Sequence, residues 1–522
     1  MDQYASWQPA SHLRSGHRFP SPLAFALGNR STFTCTRDVR STVTDLGTVV
    51  RRALRDDGFQ PDLDDASRAE LAALRPAVLS PELRDLRSLL WSSIDNPTSR
   101  DLDQIEFAEA LADGGIRLLI GIADVDVLVA KNSAIDRHAH TNATSVYTGI
   151  AVFPMLPEQI STGLTSLNQG EDRVVMVIEL VLNADGTSRS RDVYRAIAAN
   201  RAKLAYDTTG AWLEGCGPLP AMVAQTPGLD TQLWLQDRAA GLLKTRRQRA
   251  GALEFDTVEA TAVAENGKVL SLAVTRKNRA RDLIEDFMIA ANVAIAKYLA
   301  EQNRSAIRRV VRVPKRWSRI VDIAAKYGVK LPAEPDAKSL ADFLAARRAV
   351  DPLRFADLSL SIVKLLGPGE YVVDKPGPAD DQGHFGLAAN DYTHATAPNR
   401  RYADLVTQRL VKATIAGAPA PYTDDELAVI AARCTERENA ANHVARIARK
   451  SAAAILLADR IGNVFDAIVT GVNTEGTYVR LLSPPAEGRV MRGEAGMDVG
   501  ERVRVRLVRT DAERGFIDFE SA

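Results

Sequence analysis

Residues 94–104, IDNPTSRDLDQ, carry three carboxylates, those of Asp95, Asp101 and Asp103, around a turn marked by Pro97. Carboxylates this close repel one another unless a cation offsets their charge, and hard divalent cations such as Mg²⁺ prefer oxygen ligands. Side chains alternate along an extended segment, so Asp101 and Asp103 would point to the same side. A solvated acidic loop accounts for the same spacing equally well. The stretch by itself therefore leaves two interpretations open, a cation site and an exposed loop.

The chain that follows this stretch contains a series of distinctive blocks. The first, IRLLIGIADV at 116–125, is an apolar run with the length of a buried strand. The others are NATSVY at 142–147, FPMLP at 153–157, SLN at 166–168, TRKNR at 275–279, LIEDFMIAAN at 283–292, GHFGL at 383–387 and YTHATAPNRRYADL at 392–405. In this order they resemble the catalytic domain of the ribonuclease II and ribonuclease R family of 3′-to-5′ exoribonucleases. The resemblance covers most of the chain, which makes it specific.

Composition limits the class of protein. At 522 residues the chain is too long for a single hydrophobic core, and its apolar and charged fractions, 46% and 25%, are typical of globular proteins. Basic and acidic residues balance at 66 each, which by itself does not indicate a nucleic-acid binder. No apolar run is long enough to span a bilayer, the first 20 residues lack a signal-peptide core, and three scattered cysteines argue against a disulfide framework. We expect a cytoplasmic protein without membrane contact.

We predict an α+β fold in three domains. Within residues 1–80, the segments 42–57 and 64–74 show helical spacing with many charges, which predicts a small helical domain of helix-turn-helix or winged type, or a helical cap without a function of its own. Residues 81–458 form the catalytic domain, in which a sheet is surrounded by helices. The apolar run at 174–182 predicts a strand, and helical periodicity is strong at 231–249, 280–302, 399–415 and 424–459. In residues 459–522 four short strands, at 465–472, 476–481, 501–508 and 515–519, alternate with turn signals, which predicts a small closed barrel. This barrel resembles the OB-fold RNA-binding domain at the C-terminus of the exonuclease family.

The resemblance assigns the metal-binding positions to Asp95, Asp101, Asp103 and Gln104, and ties Asp103 most directly to the nucleophilic water. It implies one or two Mg²⁺ ions, with Mn²⁺ as an alternative. Gln104 departs from the family, which has a second consecutive Asp at this position. An amide oxygen can coordinate a cation but brings no charge, so we predict a weakened second metal.

The resemblance also implies an RNA path. Arg400 corresponds to the family's catalytic-site arginine, whose guanidinium can bind two phosphate oxygens at once, and Arg401 is a second candidate. Tyr147 and Phe255 match the aromatic pair that stacks on nucleotides, and Tyr206 matches a tyrosine that helps to set the final product length. The remaining candidate RNA contacts are an acidic position at Glu285 or Asp286 and, in the barrel, Tyr478 beside the alternating Arg502, Arg504 and Arg506.

Together these features predict a metal-dependent 3′-to-5′ exoribonuclease that acts as a monomer on single-stranded RNA and releases 5′-mononucleotides, with no affinity for DNA. An alternative is an RNA-binding protein on the same fold whose catalytic activity is weak or lost, as Gln104 suggests. A DNA-directed regulator that uses the N-terminal helices is a third class.

Overall fold

The computed structural model describes residues 45–256, 259–265, 268–275, 277–377, 383–474 and 476–522. Residues 44–522 form one compact unit, a mixed sheet-and-helix body followed by a closed five-stranded barrel. The α+β prediction is therefore confirmed. Within the described ranges, no helix is long and apolar enough to cross a bilayer.

The strands of the body form one large sheet and three small pairs. The large sheet has the order β1-β8-β7-β4-β3-β2-β9, and the pairs are β5-β6, β10-β11 and β12-β13. These strands are β1 (Arg84–Asp85), β2 (Ser92–Asp95), β3 (Gln104–Ala110), β4 (Ile116–Ala123), β5 (Val146–Tyr147), β6 (Val152–Phe153), β7 (Asp172–Leu182), β8 (Ser188–Ala199), β9 (Ala202–Ala205), β10 (Glu259–Glu265), β11 (Lys268–Thr275), β12 (Ala306–Val310) and β13 (Glu370–Asp374).

The helices of the described ranges cover this sheet and extend beyond it. They are α1 (Leu46–Asp56), α2 (Asp65–Ala73), α3 (Ala134–Asn142), α4 (Tyr206–Leu213), α5 (Ala221–Gln225), α6 (Leu229–Arg249), α7 (Arg279–Glu301), α8 (Trp317–Lys326), α9 (Ala337–Val350), α10 (Pro352–Leu366), α11 (Tyr402–Ile415) and α12 (Asp424–Leu457). The long helices predicted at 231–249, 280–302, 399–415 and 424–459 all form, with ends shifted by three residues or fewer.

The centre of the large sheet is buried because helices cover it. Seven of the eight residues of β4 and seven of the eleven residues of β7 are buried, as the apolar sequences of these strands predict. The turn between β7 and β8 contains Gly186, whose backbone φ is +81° and whose missing Cβ leaves room for the Leu242 carbonyl of α6. A Cβ at this position would lie 2.6 Å from that oxygen, so the close approach of α6 requires glycine here.

The 34-residue helix α12 connects three parts of the structure. Near its middle, Val444 and Ala448 pack against Leu46 and Val50 of α1. At its C-terminal end Leu457 packs into the interior of the barrel. At 1.5 Å per residue the helix is about 50 Å long, which allows one element to contact all three parts.

The predicted barrel is present, and its five strands follow the order β14-β15-β16-β18-β17. The strands are β14 (Val464–Asn473), β15 (Gly476–Leu481), β16 (Glu487–Arg492), β17 (Arg502–Asp511) and β18 (Phe516–Ser521). The prediction lacked β16, whose sequence EGRVMR has one buried position and no run of apolar residues. Arg502, Arg504 and Arg506 are exposed on one face of β17, as their alternation predicts.

The predicted N-terminal domain is described only from residue 45 onward. α1 and α2 lie in the two predicted helical segments, and each begins at an aspartate whose side chain accepts backbone N–H groups of the first turn. α1 packs on α12, and α2 packs on α3. Residues 1–44 lie outside the described residues, so a helix-turn-helix or winged form stays a prediction.

Candidate active site

The acidic stretch forms the connection between β2 and β3, and polar contacts fix its path from several sides. Ser166 Oγ accepts the Leu102 N–H at 3.0 Å and donates to the Arg100 carbonyl at 2.7 Å. The ammonium group of Lys203, from β9, donates to the Pro97 carbonyl at 3.3 Å. The loop is therefore held through its backbone, which leaves its carboxylates available for other contacts.

Asp103 is the most deeply buried carboxylate of this stretch, with 2% of its surface exposed. Its Oδ1 accepts the backbone N–H of Asn399 at 3.0 Å, and its Oδ2 lies 3.8 Å from Arg400 Nε. Oδ2 is buried and has no hydrogen-bond partner. Burial raises the pKa of Asp103 to about 7, although Arg400 and the Asn399 N–H partly oppose this shift. The structure thus brings together the two residues predicted to be catalytic, which are 297 positions apart in the sequence.

A buried carboxylate holds the loop that carries Arg400. Asp404, near the start of α11, is fully buried and accepts the backbone N–H groups of Thr396 and Ala397, both at 2.8 Å. The Arg401 guanidinium donates to the same carboxylate through Nε at 2.8 Å and Nη2 at 2.6 Å. Arg401 therefore stabilises the loop through its bonds to Asp404. Direct contact between Arg401 and RNA stays a prediction.

Tyr147 lies beside this loop because two backbone segments are hydrogen-bonded to each other. The Ser145 N–H donates to the Arg400 carbonyl at 3.0 Å, and the Tyr402 N–H donates to the Ala143 carbonyl at 2.9 Å. Tyr147 follows on β5 and is 43% exposed. Its hydroxyl donates to Asp101 Oδ2 at 2.9 Å, so the ring is anchored at its polar end and one part of it remains open to solvent.

The four predicted metal positions do not form a compact carboxylate cage. Asp95, at the end of β2, accepts the Ser99 hydroxyl at 2.7 Å and the Asn96 N–H at 2.6 Å through Oδ1. Gln104 begins β3 and is 9% exposed. Among the residues that the structure describes, no three His, Cys, Asp or Glu side chains lie close enough to hold a metal ion. The assignment of Asp95, Asp101, Asp103 and Gln104 to one metal site therefore stays a prediction.

The residues present nevertheless fit the chemistry of Mg²⁺. This ion keeps several waters and is commonly held by one or two carboxylates together with substrate phosphates. Asp103 Oδ2 is a buried acceptor without a hydrogen-bond donor, and Asp95 and Gln104 carry further side-chain oxygen atoms at the adjoining strand ends. A site of this kind needs fewer protein carboxylates than a closed cage.

One residue that the sequence analysis missed is Glu106, two positions along β3 from Gln104. It is completely buried, and neither Oε1 nor Oε2 has a hydrogen-bond partner. Burial raises the pKa of Glu106 well above its usual value, and the neighbouring Asp95 raises it further. Strand alternation could have indicated it, because it places Glu106 on the same face as Gln104.

Tyr206 begins α4, close to the end of β2. The Arg281 guanidinium of α7 lies 4.4 Å from the centre of its ring, and Arg281 also donates to the Asn96 side chain at 3.2 Å. Burial, followed by the charges of Asp95 and Glu106, raises the pKa of the Tyr206 hydroxyl. The predicted product-length tyrosine therefore lies beside the acidic stretch.

The structure separates the environments of the two neighbouring acidic candidates on α7. Glu285 is about half exposed and pairs with Lys277 at 3.0 Å. Asp286 is buried, and Arg247 donates to its Oδ1. Burial raises the pKa of Asp286 to about 7, with Arg247 opposing the shift. Both side chains line one small pocket, so the geometry does not select between them.

The two remaining aromatic candidates lie on other parts of the fold. Phe255 packs against a cluster built from α8, α9 and α10, which includes Phe355 and Leu253. Tyr478 is on β15 of the barrel and is partly exposed, with its backbone paired to Arg489 of β16. Their RNA contacts stay predictions. Two histidines of the neighbouring loops make structural hydrogen bonds. The His384 ring accepts the Leu387 N–H at 3.2 Å, and the His394 ring lies 2.8 Å from the Tyr371 hydroxyl.

Comparison with known proteins defines the family of this chain. The family model described as the RNB domain matches residues 83–417. The model described as the RNase II-type exonuclease C-terminal S1 domain matches residues 463–522. The chain therefore belongs to the RNB family, and its barrel is an S1 domain of the RNase II type.

Individual relatives carry ribonuclease names. The chain is 30% identical to ribonuclease R of Vibrio parahaemolyticus over 478 residues, which cover 84% of this chain and 55% of that protein. It is 29% identical to exoribonuclease 2 of Escherichia coli over 444 residues, which cover 82% of this chain and 66% of that protein. The chain spans little more than half the length of the ribonuclease R relatives it matches.

Solved structures share the fold at lower identity. RNase R of Mycoplasma genitalium, in complex with ribose-methylated single-stranded RNA, has a TM-score of 0.82 and 22% identity, and covers 92% of this chain and 78% of that one. Yeast Ssd1, described as a pseudonuclease, has a TM-score of 0.67 and 18% identity, and covers 86% and 56%. The same fold thus occurs in a ribonuclease and in a pseudonuclease.

Proposed function

We propose that this chain is a metal-dependent 3′-to-5′ exoribonuclease that hydrolyses single-stranded RNA and releases 5′-mononucleotides. The observation that carries the proposal is the pair formed by Asp103 and Arg400. One oxygen of the buried carboxylate is unpartnered, and it lies 3.8 Å from a guanidinium whose side chain is 44% exposed. Such a pair can hold a water on one side and an anionic phosphate on the other.

Each partner has a separate part in the reaction. Arg400 can bind two non-bridging oxygens of the scissile phosphate and offset the charge that develops during attack. The Asn399 N–H fixes Asp103 through Oδ1, which leaves Oδ2 to orient a water and accept its proton. Attack at phosphorus breaks its bond to the 3′ oxygen of the preceding nucleotide. The terminal nucleotide then leaves with a 5′ phosphate, and the shortened chain ends in a 3′ hydroxyl.

Asp95, Asp101, Asp103 and Gln104 are the residues that would hold Mg²⁺, or Mn²⁺ in its place. When bound, a divalent ion supplies positive charge at the phosphate and makes a coordinated water more acidic. The fit of the site to this ion rests on the buried unpartnered Oδ2 of Asp103 and on a donor set made of oxygen atoms.

RNA recognition in this proposal depends on stacking and on phosphate contacts. Tyr147 presents a partly exposed ring that is fixed at its hydroxyl, and Tyr206 lies beside the acidic stretch under Arg281. Base stacking on aromatic side chains tolerates any base, so we expect little dependence on sequence. A ribose hydroxyl contact at Glu285 or Asp286 would favour RNA over DNA. The ribonuclease names of the relatives support this substrate class.

The test is digestion of a 5′-labelled single-stranded RNA with Mg²⁺ present and with a chelator added. We expect a shortening ladder only with the metal, together with 5′-mononucleotides in the soluble fraction and no digestion of the matching DNA. Internal cleavage products, or identical digestion with the chelator, would contradict the proposal.

Gln104 supports a second candidate, an RNA-binding protein with little or no catalytic activity. The variant Gln104→Asp restores the charge of the family's second Asp and separates the two candidates. If the natural chain binds RNA without turnover at saturating Mg²⁺, the second candidate holds. Turnover by the natural chain that Gln104→Asp does not raise would exclude it.

The proposal also includes a monomer in the cytoplasm. Light scattering of the purified chain tests the first feature, and fractionation of the source cells tests the second.

A further inference from the structure

We propose that a cavity beside the two acidic candidates of α7 binds a nucleoside 5′-monophosphate, the product of the proposed reaction. This side cavity lies between the β7–β8 hairpin, the C-terminal half of α6, the middle of α7 and residues 387–391, and its volume is about 390 Å³. Pockets that hold small molecules in proteins range from about 300 to 1,000 Å³, so the volume fits a ligand the size of one nucleotide. The inference rests on the proposed exoribonuclease function, because that function supplies the ligand.

The inner wall of the side cavity is apolar. Leu182 of β7 and Ile289 and Ala294 of α7 line it and are buried. Leu243 of α6 and Val293 of α7 line it as well and are partly exposed. The flat faces of a purine or pyrimidine ring gain free energy when they leave water and contact such side chains. The wall therefore favours a ligand that has a flat, largely apolar part.

The charged side chains that line the side cavity carry an excess of two positive charges. They are four cations and two carboxylates, namely Arg191, Arg246, Arg247 and Lys297 with Asp286 and Asp391. Both carboxylates are already bound by arginines, Asp286 by Arg247 and Asp391 by Arg308. Arg246 and Lys297 are exposed, and within the described ranges neither forms an ion pair or a side-chain hydrogen bond. Two cations at the cavity are therefore free to bind an anion.

A phosphate group suits these cations. It carries about two negative charges at neutral pH, and ammonium and guanidinium groups bind its oxygens through charge-assisted hydrogen bonds. Arg191 and Arg247 add to the positive potential, and the Nε of each is buried without a hydrogen-bond partner in the described part of the chain. A nucleoside monophosphate matches both the apolar wall and the cations, whereas free phosphate or a free nucleoside matches only one of them.

The side cavity adjoins the smaller pocket that contains both acidic candidates. Arg247, Asp286 and Leu387 line both spaces, whereas Glu285 and Lys277 line only the smaller one. A nucleotide released beside these candidate RNA contacts would therefore lie next to the side cavity. The competing interpretation is a solvated groove whose cations serve only solubility, and it predicts no specific binding of a nucleotide.

The experiment measures AMP binding to the full chain by isothermal titration calorimetry, with a chelator present so that no divalent ion holds the phosphate. The test variant combines Arg246→Glu with Lys297→Glu. The control combines Arg238→Glu with Arg249→Glu, which makes the same change of charge at exposed residues of α6 outside the side cavity. We expect the test variant to weaken AMP binding at least tenfold, because both phosphate contacts are lost, and the control to change it less than twofold. Equal effects of the two variants, or no AMP binding by the natural chain, would overturn the inference.

Further ligands and one further variant identify what the side cavity recognises. Adenosine and inorganic phosphate should each bind at least tenfold more weakly than AMP, and phosphate that binds as tightly as AMP would overturn the inference. Arg400→Gln should leave AMP binding within twofold, whereas a loss confined to this variant would place AMP at the candidate active site and overturn the inference. An RNA tetranucleotide that binds more tightly than AMP through Arg246 and Lys297 would indicate a groove for a strand, which also overturns it.

A second measurement needs no variant. Crystals of the natural chain soaked in brominated AMP should show an anomalous bromine peak in the side cavity, with the phosphate within hydrogen-bond distance of Arg246 or Lys297. A peak found only beside Arg400 would overturn the inference. RNA digestion is assayed separately on the natural chain. AMP bound in the side cavity without RNA digestion would refute the proposed function alone, and digestion without AMP in the side cavity would refute this inference alone.

Discussion

Replacing Asp404 with asparagine should destabilise the body of the protein and impair the site through one contact network. The carboxylate accepts four hydrogen bonds, two from the backbone of the loop before Arg400 and two from Arg401. Asparagine can keep the backbone bonds through its oxygen, but its NH₂ group would face the Arg401 guanidinium. The bond from Arg401 Nε to Oδ2 would be lost, the bond from Nη2 to the retained oxygen would no longer be formed with an anion, and the guanidinium would remain without a carboxylate partner.

The size of the effect follows from burial. Breaking a buried ion pair by neutralising one partner typically costs 3–5 kcal/mol, because the other charge is left uncompensated. Asp404 is fully buried but the Arg401 side chain is 21% exposed, so water can reach part of the guanidinium. We therefore expect the lower end of that range, about 3 kcal/mol of unfolding free energy. Urea unfolding followed by tryptophan fluorescence measures this loss in the body, since the barrel, residues 464–522, contains no tryptophan.

The chain offers a matched control for this variant. Asp65 and Arg68 form an ion pair with the same spacing of three residues and the same closest distance of 2.6 Å, but the Asp65 side chain is 98% exposed. Asp65→Asn should leave the unfolding midpoint unchanged, because exposed pairs are screened by solvent. Asp404→Asn should also lower RNA turnover at least about tenfold, since it loosens the loop that positions Arg400. Equal stability losses in the two variants would refute the role assigned to burial.

Three further predictions concern individual side chains. Asp103→Asn should abolish RNA turnover while leaving RNA affinity within a few fold of the natural chain, as measured by filter binding; loss of affinity in parallel with turnover would contradict the assigned role. Tyr147→Ala should weaken RNA binding by about 1–3 kcal/mol, whereas Tyr147→Phe, which keeps the ring and loses the bond to Asp101, should bind nearly as well as the natural chain. Burial, with a smaller contribution from Arg309, lowers the pKa of His384 to about 4, so the folded state holds this ring neutral while the unfolded chain protonates near 6.5. The contribution of the neutral His384 ring to the free energy of unfolding is complete above pH 6.5 and is lost as the pH falls toward 4, by roughly 3 kcal/mol at most. His384→Gln should therefore make the urea midpoint less dependent on pH between 6.5 and 4.

The sequence predicted most of the elements, because local patterns determine them. The apolar runs of β4 and β7 and the long amphipathic helices could be placed to within a few residues. β16 was not predicted because a barrel strand with one buried residue has no local pattern to reveal it. The exact boundaries between the three predicted domains stay predictions.

Some features of the candidate site could be predicted from the sequence, and others depend on the folded structure. Asp103 and Arg400 were identified through resemblance, and their proximity is a long-range contact that no local pattern contains. The supporting role of Asp404 could not be predicted, because it depends on which backbone N–H groups face the carboxylate after folding. From the sequence alone, Glu106 has the pattern of a solvent-exposed residue on a strand. Its burial depends on the packing of α6 over β3, which the sequence does not show.

The continuous helix α12 packs against α1, the body and the barrel, so a displacement of α12 would affect all three. Its residues Ala453, Ala454 and Leu457 belong to the interior of the barrel, while Val444 and Ala448, only two or three turns earlier, support α1. The Arg480–Asp357 ion pair, at 2.7 Å, ties the barrel to α10 as well. Cleavage of the chain at residues 458–463 followed by separation of the two fragments would therefore expose apolar side chains on both, those of α12 and those of the barrel interior. The S1 barrel of this chain is therefore attached to the sheet-and-helix body through packed side chains, and α12 sets its position.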